Sequence, residues 1–218
     1  MISIDHVLRT VRDLDRAGES LLRDHGLASV AGGRHPGWGT GNRIVPLGDQ
    51  YLELVGIIDA REAESSWFGQ WVNASAAMGD RWAAWAVRTD DLDIWARARG
   101  LEVSEGSREQ SDGSVLRWRM AGVDEAMAQP PLPFFVEWAT PEPDRPGRHI
   151  APHHVRPNGI ARLELSGDEA RVRDLLGEEI ASLPLTFVEG PPGIRKLAVG
   201  TTDDRELILG DETARESR

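Results

Sequence analysis

The chain has 218 residues, a length that fits one or two domains with a substantial core. Its 25 basic and 36 acidic residues give a net charge of −11, which argues against a protein that binds nucleic acid through its phosphates. The sequence has no cysteine, which excludes disulfides, thiolate nucleophiles and cysteine-ligated metals. We see no signal peptide and no apolar stretch of about 20 residues, so we expect a cytoplasmic protein without membrane association.

The first unit, about residues 1–58, has the pattern of a β-α-β-β-β element order. Asp13 is the expected N-cap of its helix, and Gly26 is expected to end that helix. The glycine-rich residues 32–42 predict a turn, and Gly48-Asp49 predicts a hairpin between two short apolar runs. The predicted strands cover residues 2–10, 43–47 and 51–58.

The same order returns in a second unit, about residues 82–140. Asp90 or Asp91 is expected to cap its helix, and Asp112-Gly113 is a strong hairpin-turn signal. Residues 11–15 also match residues 89–93 at an offset of 78. Because internal repetition constrains architecture more than any single motif, we expect two related modules. The predicted strands cover residues 82–88, 103–108, 114–120 and 134–139.

The rest of the chain predicts a linker, a third unit and a tail. Residues 141–157 are rich in proline and predict an irregular linker. This linker contains His149, His153 and His154, for which we expect solvent exposure rather than metal binding, because Pro152 opposes the helix that would align them. Residues 158–210 predict a smaller α/β unit in the same element order, and residues 211–218 predict a polar tail.

Two glutamates lie at corresponding places inside the apolar closing strands of the two modules. Glu53 follows Tyr51-Leu52, and Glu137 follows Phe135-Val136. A carboxylate in a hydrophobic strand is unfavourable unless it is paired or faces a polar cavity. If both glutamates face one cavity, either a cation lies between them or they share one proton. The alternative is that both lie on the outer face of the sheet and pair with arginine.

These features together resemble a known superfamily. Paired β-α-β-β-β units with His6 on the first strand and a glutamate on each closing strand resemble the vicinal oxygen chelate superfamily. The string His35-Pro-Gly-Trp-Gly-Thr-Gly-Asn42, followed by Tyr51-Leu-Glu-Leu54, is similar to its glyoxalase-like branch. The resemblance covers about residues 1–140. It implies an α+β fold in which paired modules form a curved sheet around a cavity, with the smaller third unit as an extension.

The resemblance also implies a place for metal ligands. In this superfamily they lie on the first and last strands of the modules, which here gives His6, Glu53, Ala84 and Glu137. Ala84 cannot bind a metal, but one histidine and two carboxylates suit a divalent ion with open coordination positions. Without a metal, Glu53 and Glu137 would form a general acid/base pair, with His6 as a proton relay.

Further candidates are expected at the mouth and wall of the cavity. Residues 32–42 lack the ending of a phosphate-binding loop, so nucleotide binding is not expected there. We expect His35, Trp38 and Asn42 to contact a ligand, with a purely structural loop as the alternative. Trp118 is expected in the cavity wall.

Three arginines leave two interpretations open. Arg117 and Arg119 share one face of a predicted strand, and Arg108 lies on the neighbouring strand. They either bind an anionic substrate or form surface ion pairs with the acidic excess.

We therefore predict a small-molecule enzyme of glyoxalase-like type, with lyase or isomerase chemistry on an oxygenated metabolite. In that hypothesis a divalent metal, when bound, polarises substrate oxygens while a glutamate moves a proton. A non-catalytic binding or sequestering protein is the first alternative, favoured by Ala84 and the eight tryptophans. A protein-interaction domain that uses the linker and the third unit is the second. The expected partner is a small molecule, and a homodimer is compatible with the fold; the fold alone does not choose among these functions.

Overall fold

The computed structural model of the chain describes residues 1–110, 113 and 115–210. Asp112 of the predicted hairpin turn and the tail 211–218 lie outside the described residues. The helices are α1 (Leu14–His25), α2 (Ala60–Glu64), α3 (Trp67–Ala77), α4 (Leu92–Arg99), α5 (Val123–Ala128) and α6 (Glu169–Leu176). The strands are β1 (Ser3–Thr10), β2 (Val30–His35), β3 (Thr40–Pro46), β4 (Tyr51–Ile57), β5 (Arg81–Arg88), β6 (Val103–Gln110), β7 (Val115–Ala121), β8 (Phe134–Trp138), β9 (Pro157–Ser166), β10 (Leu185–Phe187), β11 (Gly193–Thr201) and β12 (Glu206–Gly210).

The first eight strands form a closed barrel in the order β1-β4-β3-β2-β6-β7-β8-β5. One module supplies β1–β4 with α1, and the other supplies β5–β8 with α4. The modules meet where β1 pairs with β5 and where β2 pairs with β6. The remaining strands form a second sheet in the order β10-β9-β11-β12. This arrangement confirms the predicted α+β fold of paired βαβββ modules with a smaller third unit.

Helix α1 shows how local sequence sets the element boundaries. The Asp13 side chain accepts hydrogen bonds from the backbone N–H groups of Asp15 and Arg16. Gly26 ends the helix in the left-handed conformation, with φ of 71°, which glycine adopts without steric penalty. Both positions agree with the predicted caps. No helix within the described part of the chain is long and apolar enough to cross a membrane.

The glycine-rich segment differs from its prediction. Gly32 and Gly33 lie inside strand β2, and the turn is confined to residues 36–39. Glycine usually weakens a strand and often marks a close approach of neighbouring atoms. A Cβ atom at Gly32 would lie 1.9 Å from Oδ1 of Asn42 and 2.7 Å from Nη1 of Arg108. The strand therefore needs glycine because these two side chains pass close against it.

The strand pairing and the element bounds relate the residues of the two modules to each other. In the first module, β1 runs parallel to β4 with His6 opposite Tyr51. In the second module, β5 runs parallel to β8 with Ala86 opposite Phe134. The first strands start at Ser3 and Arg81 and the helices that follow start at Leu14 and Leu92, in both cases 78 residues apart. Ala84 therefore corresponds to His6, as predicted.

The two glutamates lie on different faces of the sheet. Two residues beyond Tyr51 lies Glu53, and two residues beyond Phe134 lies Val136. Glu137 is the next residue after Val136, which lines the cavity, so the Glu137 side chain points to the other face of β8. Because successive side chains of a strand point to opposite faces, a shift of one residue moves a side chain to the other side of the sheet.

Strand β1 carries a β-bulge at Asp5. Its pairing with β5 places Ile4 opposite Val87 and His6 opposite Ala86, so Asp5 is the extra residue. A bulge bends the strand and redirects side chains. The side chains of Asp5 and His6, neighbours in sequence, consequently lie within hydrogen-bond distance of each other.

The largest apolar cluster lies outside the barrel and joins it to the second sheet. It includes Trp85 and Phe135 from the barrel together with Leu163 and Leu197 from the second sheet. The linker also contacts the first module, since the His154 backbone N–H donates to the carbonyl of Gly26 at the end of α1. His153 Nδ1 accepts from the Ala28 N–H at 3.0 Å, so this half-buried histidine supports the packing of the linker.

Candidate functional site

A cavity inside the barrel is lined by a group of polar residues and a group of aromatic residues. The empty space between its walls is about 640 Å³, its outer mouth included. The polar lining comes from the first module and from β6, and consists of His6, His35, Asn42, Tyr51, Glu53 and Arg108. The aromatic lining consists of Trp38, Trp67, Phe68, Trp118, Phe134 and Trp138.

Glu137 is the one predicted site residue that does not reach this cavity. The other six line it together: His6, His35, Trp38, Asn42, Glu53 and Trp118. Glu137 Oε2 instead accepts from Nη1 of Arg119 at 3.0 Å. Its Oε1 accepts from the Leu92 N–H at the start of α4, where the helix dipole favours an anion. The prediction that Glu53 and Glu137 share a cavity is therefore wrong, and Glu137 has the outer-face arginine pairing considered as the alternative.

His6 lies between two carboxylates. Its Nδ1 is 2.9 Å from Oδ2 of Asp5, and its Nε2 is 3.6 Å from Oε2 of Glu53. Since an ionised carboxylate only accepts, we assign the imidazole proton to Nδ1, which leaves the Nε2 lone pair directed towards the cavity. The His6 ring also stacks on Tyr51, with ring centroids 4.6 Å apart.

Asp5 is held by further donors. It is 1% exposed, and its Oδ1 accepts from Nε1 of Trp138 at 3.0 Å. Nη1 of Arg88 lies 3.6 Å from the same oxygen. These contacts offset the unfavourable burial of the carboxylate and fix its orientation towards His6.

A second chain of hydrogen bonds joins Arg108 to Glu53 through Asn42. Nη1 of Arg108 donates to Oδ1 of Asn42 at 2.9 Å. The Asn42 amide nitrogen in turn donates to Oε1 of Glu53. Because Asn42 holds Oε1, the other carboxylate oxygen of Glu53 is the one that faces His6.

Burial sets the protonation of two more residues in the cavity. It lowers the pKa of His35 to about 4, against an opposing effect of Glu53 and with a smaller contribution from Arg108. His35 is therefore neutral near pH 7. Burial, followed by the nearby Asp5 and Glu53 charges, raises the pKa of Tyr51 well above its ordinary value. Tyr51 consequently remains a phenol and does not act as a base.

The lowered pKa of His35 predicts a loss of stability in acid. Between pH 6.5 and about 4, the unfolded chain binds a proton at this position and the folded chain does not. The stability linked to His35 is thus complete above about pH 6.5 and decreases towards pH 4, by at most about 3 kcal/mol. Urea unfolding at pH 7 and pH 5 measures it: the wild type should lose more stability than His35→Gln. Equal losses would contradict the buried neutral histidine.

The described residues do not fit the predicted metal site. No group of three or more His, Cys, Asp or Glu side chains in the described ranges is arranged to hold an ion. In the second module, strands β5 and β8 bury Ala84, Ala86, Phe134 and Val136 in the apolar cluster beside the cavity, and none of these side chains can bind a metal. The buried guanidinium of Arg108 also adds positive charge close to Glu53.

Three features of the site were not predicted from the sequence: the role of Asp5, the role of Tyr51 and the separate roles of the three arginines. Asp5 could not be recognised from the sequence as a partner of His6, because neighbouring side chains of a regular strand point to opposite faces of the sheet. Tyr51 was recognised only as part of a motif. The open alternatives for the arginines resolve differently for each residue: Arg108 is buried in the cavity, Arg119 pairs with Asp93 and Glu137, and Arg117 is exposed.

Gly32→Ala tests the close packing of the polar wall. The added methyl group must displace the Asn42 and Arg108 side chains, so we expect a loss of about 1–3 kcal/mol in unfolding free energy. Gly210→Ala is the control, because a Cβ there meets no atom within 4 Å. Urea unfolding of both variants measures the difference. A Gly32→Ala protein as stable as the control would show that the polar wall is loosely packed.

Comparisons with known proteins agree with this fold. A family model described as "glyoxalase-like domain" matches residues 4–180. No curated protein sequence matches the chain. The crystal structure of a hypothetical protein from Staphylococcus aureus is similar with a TM-score of 0.64 and 14% identity, covering 97% of this chain and 86% of that one.

Other similar structures cover a smaller part of the chain. Methylmalonyl-CoA epimerase from Mycobacterium tuberculosis is 23% identical with a TM-score of 0.46, covering 63% of this chain and 88% of that one. A variant of the Streptomyces coelicolor methylmalonyl-CoA epimerase in complex with 2-nitronate-propionyl-CoA is 22% identical with a TM-score of 0.47, covering 63% of this chain and 97% of that one. The family model spans most of the sequence, so the chain belongs to the glyoxalase-like domain family and has the vicinal oxygen chelate fold.

Proposed function

We propose that this protein is a small-molecule enzyme that moves a proton on a bound metabolite, with His6 and Glu53 as the catalytic pair. The supporting observation is the buried Asp5–His6–Glu53 arrangement, in which an oriented imidazole and a carboxylate face one cavity. Paired groups of this kind in a largely apolar cavity suit general acid/base catalysis. Membership of the glyoxalase-like family is consistent with either an enzyme or a binding protein, and the paired groups favour the enzyme.

The proposed step removes a proton from a carbon next to a carbonyl group. His6 Nε2 accepts the proton, and the electron pair of the broken C–H bond moves towards the carbonyl oxygen to give an enolate. Asp5 and Glu53 stabilise the imidazolium that forms. Returning the proton to a different position completes an isomerisation, and loss of a leaving group from the enolate completes an elimination. The geometry requires no metal for this step.

Deuterium exchange tests the proposal without knowledge of the natural substrate. The protein would be incubated in D₂O with 2-oxo acids, 3-oxo acids and their esters, and the loss of the C–H signals would be followed by proton NMR. We expect exchange with at least one member of the panel, reduced about 100-fold or more in Glu53→Gln and in His6→Gln. Asp93→Asn, which removes an exposed carboxylate outside the cavity, is the matched control.

The same deuterium-exchange assay distinguishes the metal hypothesis from this proposal. Because the donor set lacks ligands from the second module, exchange should persist after dialysis against EDTA. Elemental analysis of protein purified without chelator measures bound metal directly. A stoichiometric divalent ion whose removal abolishes exchange would overturn the metal-free mechanism.

The aromatic wall favours a second candidate, a protein that binds a small molecule without converting it. Trp38 packs against Phe68 and Trp118 against Trp138, with centroids 4.9 and 5.5 Å apart. Such rings supply a large apolar contact surface for a flat ligand. Tight binding across the panel, with no deuterium exchange for any bound compound, would favour this function over the enzyme.

A further inference from the structure

We infer that Arg108 forms a carboxylate-binding subsite in the cavity, so that the ligand is a carboxylic acid with an apolar or aromatic body. The inference rests on the proposed function in one respect, namely that the cavity takes a small molecule. It adds the chemical class of that molecule and assigns its acidic group to Arg108.

The guanidinium of Arg108 presents one edge without a partner. The residue is 2% exposed, and its Nη1 donates to Oδ1 of Asn42. Nε and Nη2 are buried and have no hydrogen-bond partner among the residues that the structure describes. Nε–H and one Nη2–H lie side by side on the guanidinium fork and point the same way, which matches the two oxygens of a carboxylate.

This unpaired edge is unfavourable unless a ligand covers it. A buried charged donor without an acceptor destabilises the folded protein by more than a neutral one does. Within residues 1–110 and 115–210, no Asp or Glu forms an ion pair with Arg108; Asn42 separates it from Glu53. His35 and Tyr51, the other nearby titratable groups, are both neutral near pH 7 because burial lowers the pKa of His35 and raises the pKa of Tyr51. No carboxylate in the described part of the chain therefore neutralises the charge of Arg108 by direct contact.

The surroundings fix Arg108 in this position. Gly33 packs against its stem, since a Cβ there would lie 2.9 Å from Cγ of Arg108. Gly32 leaves room for Nη1 and Asn42. Two glycines and a bridging amide thus position the guanidinium before any ligand binds, which reduces the entropy lost on binding.

The apolar lining next to Arg108 indicates the rest of the ligand. Trp118, Phe134, Val136 and Trp138 all line the cavity and provide no cationic group. A phosphate has further charged oxygens that would face these apolar side chains, whereas a carboxylate has only the two that the guanidinium edge can accept. These apolar side chains therefore suit a ligand with an alkyl or aryl body joined to a carboxylate.

Isothermal titration calorimetry tests the subsite with matched pairs of probes: phenylacetate, 3-phenylpropanoate and hexanoate, each against its primary amide. We expect at least one carboxylate to bind the unmodified protein at least about tenfold more tightly than its amide, since a charge-assisted bidentate pair discriminates to this extent. Arg108→Gln should bring this ratio to about one. Arg108→Lys should retain a smaller preference, because it keeps the charge but loses the fork.

Arg117→Gln is the control variant, because Arg117 is exposed on the neighbouring strand β7 and should leave the ratio unchanged. Circular dichroism and thermal unfolding would establish that each variant is folded, and the comparison on unmodified protein tests the subsite even if Arg108→Gln does not fold. Equal affinity for carboxylates and amides, no binding of any carboxylate, or a preference retained in Arg108→Gln would overturn the inference. Tighter binding of phenyl phosphate than of every carboxylate would overturn the assigned class.

The outcomes separate this inference from the proposed function. Carboxylate binding that depends on Arg108, without deuterium exchange, keeps the subsite and rejects the catalytic step. Exchange that depends on Glu53, in a protein that binds carboxylates no better than amides, keeps the catalytic step and rejects the subsite.

Discussion

Asp5→Asn is expected to lower the rate of deuterium exchange about 100-fold or more. The aspartate accepts the Nδ1 proton of His6 and so keeps Nε2 free to accept a proton from the ligand. An asparagine amide can donate to Nδ1 instead, which moves the imidazole proton to Nε2 and blocks the base. The volume of the side chain is almost unchanged, so ligand affinity should remain within about twofold. Proton NMR in D₂O measures the rate, and calorimetry measures the affinity.

The matched control is again Asp93→Asn, which removes an exposed carboxylate at α4 that pairs with Arg119. Its exchange rate should equal that of the wild type. Thermal unfolding shows whether Asp5→Asn disturbs the contacts with Trp138 and Arg88. A folded Asp5→Asn protein with normal exchange would contradict the role of Asp5 in orienting His6.

Phe135→Ala is expected to reduce the unfolding free energy by about 3–5 kcal/mol. Phe135 is 0% exposed on β8 and belongs to the apolar cluster between the barrel and the second sheet. Its ring packs on Trp95 of α4 at a centroid distance of 4.9 Å. Truncation would leave a cavity in this cluster, and urea unfolding measures the loss.

Phe187→Ala is the control for this position. Phe187 is only partly buried, on the short edge strand β10. We expect its truncation to have less than half the effect of Phe135→Ala, because less apolar surface returns to water. Equal losses would show that the large cluster does not dominate the stability of the protein.

The sequence predicted the paired modules well because each carries its own turn and cap signals. Asp13 and Gly26 bound α1 as expected, and short apolar runs identified most of the strands that form the barrel. The buried Glu53 was recognisable because a carboxylate in an apolar strand needs a polar environment. Local chemistry was sufficient for each of these features.

Glu137 shows where local chemistry was insufficient. It lies in an equally apolar strand, but the face it occupies depends on the register between β8 and β5, which no local signal specifies. The offset of 78 between matching turns does not extend to the closing strands, because the segments that follow the two helices differ in length. A difference of one position in such a comparison reverses the face of a side chain.

The positions of Arg108 and Asp5 in the site depend on contacts between residues that are distant in sequence and on an irregular strand. The burial of Arg108 results from the pairing of β2 with β6 between modules, and from the two glycines that make room for it. Asp5 reaches His6 only because β1 carries a bulge. Neither the pairing between modules nor the bulge has a periodic sequence signature, so both became visible only in the folded chain.

The unequal walls of the cavity have a stereochemical consequence. His6 and Glu53 both belong to the first module, and the cavity-lining residues of β8 in the second module are Phe134 and Val136. Inversion at a carbon requires proton-transfer groups on both of its faces, whereas this cavity has them on one side only. A ligand held by its carboxylate should therefore receive deuterium on a single prochiral face, giving one enantiomer of the labelled product rather than a racemate.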